Sequence, residues 1–156
     1  MRVLTEQVKI SAPHDSVWAA LADFGGVSDW APYMSRSRLV GSQQTGVGTR
    51  RIMHHAWGFN FEEAVTEWTD GQGYSFDVYR APYPMKDVHE NWSTKHVNGV
   101  STVTTQVNYC MRLGLLGRLL DQGLVQFIVR REMRAGLHGL KQHVENAARS
   151  ALAQTN

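Results

Sequence analysis

The sequence predicts an α+β fold: one strand, two short helices, a six-strand antiparallel meander, and a long C-terminal helix that covers the sheet. Three observations carry this. From Ser35 to Met111 apolar residues recur at a spacing of two, the period of strands with one buried face. The same region is cut by stretches containing glycine or proline, GSQQTGVG, AWGF, TDGQG, APYPMKD and VNGV, of the kind that join neighbouring strands. Beyond Met111 the spacing turns helical for about thirty residues. Strands that run together and are followed by a helix favour α+β over a parallel sheet.

The first strand is VLTEQVKI, with Leu4, Val8 and Ile10 on one side. SAPHDSVWAALADF follows as a helix, with Pro13 in its first turn, where a missing N–H costs nothing, then Asp15 and a stripe of Val17, Trp18 and Leu21. GGVSDWAPYM is a second short helical segment, opened by Gly25 and Gly26 and closed near Pro32. The last helix, expected over Leu116–Ala148, sets Leu120, Leu124, Phe127, Met133, Leu137, Leu140 and Val144 roughly along one side. No other element is long enough to cover seven strands, so this helix is expected to cross the concave face of the sheet.

Composition narrows the function. A chain of 156 residues is expected to form one domain over 1–156, with a substantial core. A net charge of only +2 argues against nucleic acid and acidic membrane surfaces as partners. Cys110 is the only cysteine, which rules out a disulfide framework within the chain. The start MRVLTEQVKI lacks the apolar core of a signal peptide, and no run approaches membrane-spanning length. A cytoplasmic protein without stable membrane insertion, monomeric or homodimeric, is the expectation. No glycine-rich phosphate loop precedes a helix, so no nucleotide cofactor is expected, and no G-x-S-x-G elbow occurs, so serine hydrolysis is not expected either.

Side-chain alternation orders the candidate site. With Trp57–Gly58 as a two-residue turn, Arg50, Ile52, His54, Phe61, Glu63 and Val65 share one face. Closing the next hairpin around Gly71–Gln72 adds Tyr74, Phe76 and Val78. This is the more apolar face and is expected to look inward. The other face receives Arg51, Met53, His55, Asn60, Glu62, Thr66, Ser75 and Asp77. With Asn98–Gly99 as a type I′ turn, Val88, Glu90, Trp92, Thr94, Val103, Thr105, Val107, Tyr109 and Met111 also share a face, and Glu90 points inward with them. His54 and His55 fall on opposite faces, His89 lies outward, and no spacing matches a known metal motif, so no metal is expected. The basic run RREMR (Arg130, Arg131, Arg134) reads as a solvated helix face rather than a nucleic-acid patch. His138 and His143 read as surface residues of the same helix.

SAPHDSVWAALADFGGVSDWAPYM, VGTRR entering a strand, FEEAVTEWTD, YSFDVYRAPYPM and the terminal GLHGLKQHVE together resemble the SRPBCC superfamily. That group includes polyketide cyclase/dehydrase and lipid-transport proteins and the START domains. The resemblance spans nearly the whole chain. It implies a helix-grip fold, a curved seven-stranded antiparallel sheet wrapped around the C-terminal helix and a deep cavity. It also implies a hydrophobic or aromatic small-molecule ligand and, in some members, cyclisation, dehydration or hydrolysis. Trp18 and Trp30 then fall where the family has core or cavity-rim aromatics; Trp57 sits in a loop that either gates the cavity or packs its tip against the last helix, and the Tyr83 loop is a second candidate gate.

The expected site is therefore Arg50, His54, Glu63 and Glu90 as catalytic groups. Trp18, Trp30, Phe61, Tyr74, Phe76, Val78, Tyr83, Trp92, Val107, Tyr109 and Phe127 are the expected ligand contacts. Unpaired charges do not persist in a dry interior, so these groups pair, meet water or meet a ligand. Three readings follow. In a polyketide-cyclase-like enzyme Arg50 orients the ligand while His54 or Glu63, with Glu90 and a Tyr such as Tyr74 or Tyr109, moves protons. In a carrier of a lipid, quinone or aromatic metabolite the same groups only orient it. In a structural protein an internal Arg–Glu bridge and packed side chains fill the interior.

Overall fold

The computed structural model describes residues 1–112 and 114–154, without the side chains at 117, 118, 120–122 and 154. Its strands are β1 (Arg2–Ile10), β2 (Met34–Val40), β3 (Arg50–His55), β4 (Asn60–Thr69), β5 (Gly73–Val78), β6 (Met85–Val97) and β7 (Val100–Met111). They make one antiparallel sheet in the order β1-β7-β6-β5-β4-β3-β2. Between β1 and β2 lie α1 (His14–Ala22) and a 3₁₀ turn (Phe24–Asp29); α2 (Gly114–Leu120), a π turn (Asp121–Val125) and α3 (Gln126–Gln154) follow β7. This is the expected α+β architecture, a sheet gripping its C-terminal helix. Pro13 stands one residue outside α1, at its N-cap.

The inner face is packed where β1 and β7 meet α1 and α3. Leu4, Ile10, Val17, Leu21, Phe24, Val103, Tyr109, Leu137 and Leu140 are all buried. Met133, Leu137, Leu140 and Val144 form the buried side of α3, spaced four, three and four residues apart as one helix face requires. Phe127 does not join them: it is 65% exposed, and Leu124 is 57% exposed. At about 100° per residue Phe127 lies about 120° around the helix from Met133, and Val129, one turn before Met133, takes the inward position. The side chain of Leu120 lies outside the described residues. α3 is tied to the edge strand by its own basic residues. Arg130 donates to Glu6 at 2.7 Å, Arg134 donates to both Glu6 oxygens at 3.0 Å, and Lys141 donates to the Lys9 carbonyl at 2.7 Å. The basic run thus clamps β1, and only Arg131 of the three arginines is left without a carboxylate partner among the described ion pairs. His138 and His143 are exposed, as expected.

Gly139 lets α3 approach the segment before β2. A Cβ there would overlap the Trp30 carbonyl oxygen and crowd Pro32. Alanine is the better helix former by about 1 kcal/mol, so an open helical glycine would gain from the change. Here the overlap is with backbone, which cannot swing aside. Gly139→Ala is expected to lose about 1–3 kcal/mol net, measured as a lower thermal midpoint; a raised midpoint would show that α3 has room to shift.

Two registers differ from the sequence reading, with opposite consequences. The β3–β4 loop is three residues, Ala56-Trp57-Gly58, closed by bonds from His55 N–H to the Phe59 carbonyl and from Gly58 N–H to the His55 carbonyl. Gly58 has φ +87°, the left-handed residue that such a loop requires at its end. Arg51 therefore pairs with Glu63, and Met53 with Phe61. One residue of slip exchanges the two faces of β3. The β4–β5 loop is also one residue different, but a bulge between Val65 and Glu67 shifts the ladder once more. Two shifts of one restore the original faces, and Tyr74, Phe76 and Val78 are inward as expected. The β6–β7 hairpin keeps its expected register from Thr94–Val103 to Glu90–Val107, with Asn98 and Gly99 both at positive φ.

Candidate functional site

The sheet, the N-terminal part of α3 and the segment before β2 enclose a cavity of about 380 Å³. Met53, Phe61, Phe76, Val78, Val88, Trp92 and Val107 line it from the sheet, Val125, Ile128, Val129 and Met133 from the helical side, and Tyr33 and Met34 from the entry to β2. Trp57, Phe59 and Pro82–Met85 surround the mouth. Its size falls within the range of ordinary ligand pockets, about 300–1,000 Å³. An apolar fluorescent probe is expected to titrate this space to saturation. Val129→Trp, which fills it from the helical side, is expected to abolish the signal while leaving the circular-dichroism spectrum intact.

Four ionisable side chains line the cavity besides Tyr33 and Tyr83: Arg51, Glu63, Glu90 and Glu132. Arg51 is 4% exposed, donates through Nε to Glu63 Oε2 at 2.7 Å and through a terminal nitrogen to the Phe24 carbonyl at 2.7 Å. Its guanidinium also lies 3.8 Å from the centre of the Phe24 ring and 5.2 Å from that of Phe76, where the ring faces attract a cation. Burial pushes the Glu63 carboxyl upward and Arg51 pulls it back. This is the internal Arg–Glu bridge, formed by Arg51 and not Arg50.

Glu90 sits on the inner face of β6, opposite Val107. Trp92 Nε1 donates to its Oε1 at 2.5 Å and Thr105 Oγ1 donates to the same oxygen at 3.1 Å. Burial, with the Glu63 charge adding to it, pushes Glu90 up to about 7, against the opposing pull of Trp92, Arg51 and Thr105. No basic group bonds to it among the described residues, and the surface it exposes faces the cavity it lines.

His55 and Glu132 form a second polar pair at the mouth, with His55 Nε2 3.0 Å from Glu132 Oε1. The Trp57 N–H points at His55 Nδ1 at 3.0 Å. A backbone N–H can only donate, so Nδ1 accepts and the ring proton resides on Nε2, directed at Glu132. The imidazole is flat against Phe59, 4.3 Å between centres and 9° from parallel. Burial raises the Glu132 carboxyl and His55 opposes that rise. Burial also holds the Tyr33 and Tyr74 phenols far above their ordinary range, so both stay neutral.

Of the expected catalytic groups, Glu63 and Glu90 are inward, while Arg50 is exposed and His54 is on the outer face of β3. The three-residue loop is the cause: it turns Arg51, Met53 and His55 inward in their place. Of the expected contacts, Phe61, Phe76, Val78, Tyr83, Trp92 and Val107 line the cavity; Trp18, Trp30, Tyr74, Tyr109 and Phe127 do not. Trp18 stands edge-on to Trp68, Trp30 edge-on to Trp92, and Tyr74 lies flat on Trp68, so these rings support the walls from behind. Tyr109 is fully buried in the packed region and Phe127 faces outward. Sequence reasoning missed Glu132, which meets His55 across 77 positions and has no local signal. The loop itself had one: AWG ends in glycine, as three-residue hairpin loops do. Trp57 is 61% exposed at the mouth and rests edge-on against His55.

A curved sheet gripping a helix, with an apolar cavity between them, defines a protein of the helix-grip class. Residues 1–145 match the model of the family described as polyketide cyclase / dehydrase and lipid transport, and the chain belongs to that family, within the SRPBCC superfamily. Its fold is one that binds hydrophobic small molecules. The Zhui aromatase/cyclase from Streptomyces sp. R1128 superposes with a TM-score of 0.83 at 16% identity, over 96% of this chain and 97% of that one. XoxI from Bacillus cereus gives 0.77 at 19% identity over 94% and 98%, and a START superfamily protein from Mycobacterium smegmatis gives 0.76 at 11% over 93% and 98%. At such identities the likeness is one of fold. No curated protein matches the sequence. No helix among the described residues is long and apolar enough to cross a membrane, and among them no group of metal-ligating side chains comes together.

Proposed function

We propose that this protein binds an apolar, oxygen-bearing small molecule in the cavity and moves protons on it without a cofactor, as a cyclase- or dehydratase-like enzyme. Glu90 in its neutral form gives a proton to the ligand oxygen, and Glu132, oriented by the Nε2–H of His55, takes one from the ligand. The supporting observation is that Glu90 and Glu132 share one apolar cavity without an arginine or lysine bonded to either. Burial raises both, which brings their proton affinity toward neutral pH, where general acid–base catalysis is most effective. Arg51 and Glu63 neutralise each other and hold the wall of the cavity in shape.

A carrier is the second reading. It is favoured by Arg51, the natural anchor for a ligand head group, whose charge is already paired with Glu63 and which also donates to the Phe24 carbonyl. Native mass spectrometry of the purified protein, followed by incubation of fresh protein with the co-purifying compound, separates the two. Loss of water from the compound, or an isomer of equal mass, is the expected result. A compound that binds and is recovered unchanged overturns the enzymatic reading and leaves the carrier.

A further inference from the structure

Charge arithmetic inside the cavity points to the chemistry of the ligand. Among the described lining residues there is one cation, Arg51, against three carboxyl groups, Glu63, Glu90 and Glu132. That cation is already paired: its Nε donates to Glu63, a terminal nitrogen donates to the Phe24 carbonyl, and its plane is flanked by Phe24 and Phe76. The Tyr33 and Tyr83 hydroxyls on the wall are not cations, and other polar groups nearby serve the carboxyl groups. Trp92 and Thr105 donate to Glu90, and His55 donates to Glu132. An arriving carboxylate or phosphate would find no counter-charge and two carboxyl groups facing it, in a space where charges are poorly screened.

We propose that the cavity selects by charge, taking ligands whose polar end is uncharged, such as phenols, alcohols and ketones, and rejecting carboxylates and phosphates; of charged head groups it admits only cations. This deepens the preceding reading, since it rests on the cavity being the ligand site. It excludes free fatty acids and aromatic acids as ligands and admits their reduced, esterified or hydroxylated counterparts. An enzyme working here therefore receives its substrate after any free acid has been masked.

The groups that set the pH response are known from the geometry. Glu90 on β6 faces Glu63 on β4, Arg51 on β3 and the neutral Tyr33 and Tyr74 phenols, while Glu132 on α3 faces His55 on β3 and is influenced by Arg131 beside it in sequence. As pH rises through about 7, Glu90 ionises and the interior becomes more negative. Affinity for a cation therefore climbs, affinity for an anion drops, and affinity for a neutral ligand changes little.

Three probes with one apolar body test this: naphthylmethanol, naphthylmethylamine and naphthoic acid, titrated calorimetrically against the full chain near pH 6 and near pH 8. The acid is expected to bind at least tenfold more weakly than the alcohol at both. The amine is expected to gain several-fold from the lower pH to the higher, where the acid loses affinity. Glu90→Gln should flatten the amine's response; if Glu132→Gln does so in its place, the titrating group is wrongly assigned. An acid that binds as well as the alcohol overturns the charge selection and leaves the cavity reading standing. Failure of all three probes to bind overturns both.

Discussion

Arg51→Met is expected to destabilise the fold by about 3–5 kcal/mol, the usual cost of removing one partner of a buried ion pair. Three losses coincide. Glu63 keeps a buried charge with no cation, the Phe24 carbonyl loses its donor, and the Phe24 and Phe76 rings lose the guanidinium between them. The double variant Arg51→Met/Glu63→Leu removes the orphaned charge and should recover much of the loss, because an apolar pair of similar volume tolerates burial well. The single variant should also acquire a pH dependence of known sign. Burial already raises Glu63 above its ordinary value, and without Arg51 the rise is larger. A carboxyl group whose folded pKa exceeds its unfolded one is stabilising when neutral, so the deficit is smallest near the ordinary carboxylate range and grows as pH climbs through the folded value. Denaturant midpoints measured from acidic to mildly alkaline pH check this; a deficit that stays flat across the range would mean Glu63 is neutral in the parent protein as well. Arg50→Met, on the exposed face of the same strand, should change stability by less than about 1 kcal/mol.

Glu90→Gln should lower the rate of ligand conversion by about 10²–10⁴-fold, the usual contribution of a positioned acid. The pH profile carries the assignment. With Glu90 near 7 and acting in its neutral form, the parent rate should fall as pH rises through that value, and the glutamine variant should lack this limb. A rising limb would reverse the roles of Glu90 and Glu132. Stability separates catalysis from architecture here. Because the folded pKa of Glu90 lies above that of an unfolded glutamate, the parent protein loses stability as pH rises from the ordinary carboxylate range to about 7. Glutamine cannot ionise, so the variant should escape that loss and be at least as stable as the parent above neutrality. A variant both inactive and less stable would mark Glu90 as a structural residue. His54→Ala should leave both rate and affinity within about twofold, since its side chain is on the outer face.

The residues alone encode the order of elements, the antiparallel sheet gripped on one helix, and the inward faces of β1 and of β4 to β7. Those features rest on period and on local turn chemistry, which a short window of residues contains. Asn98–Gly99 permits one tight turn, and every pairing from Thr94 to Glu90 followed from it. The polar site was legible only in part. Glu63 and Glu90 were placed inward, whereas β3 was turned over by one extra loop residue, and a single residue is enough because side chains alternate with a period of two. The adjacent doublets Arg50–Arg51 and His54–His55 made the slip invisible in composition, since either face receives one arginine and one histidine. Long-range packing settles the rest: Arg51 pairs with Glu63 and the Phe24 carbonyl, and Glu132 arrives from α3 to meet His55. Those contacts join residues between 12 and 77 positions apart, and which of them form depends on how the sheet curves and where its bulges fall. No local pattern encodes that.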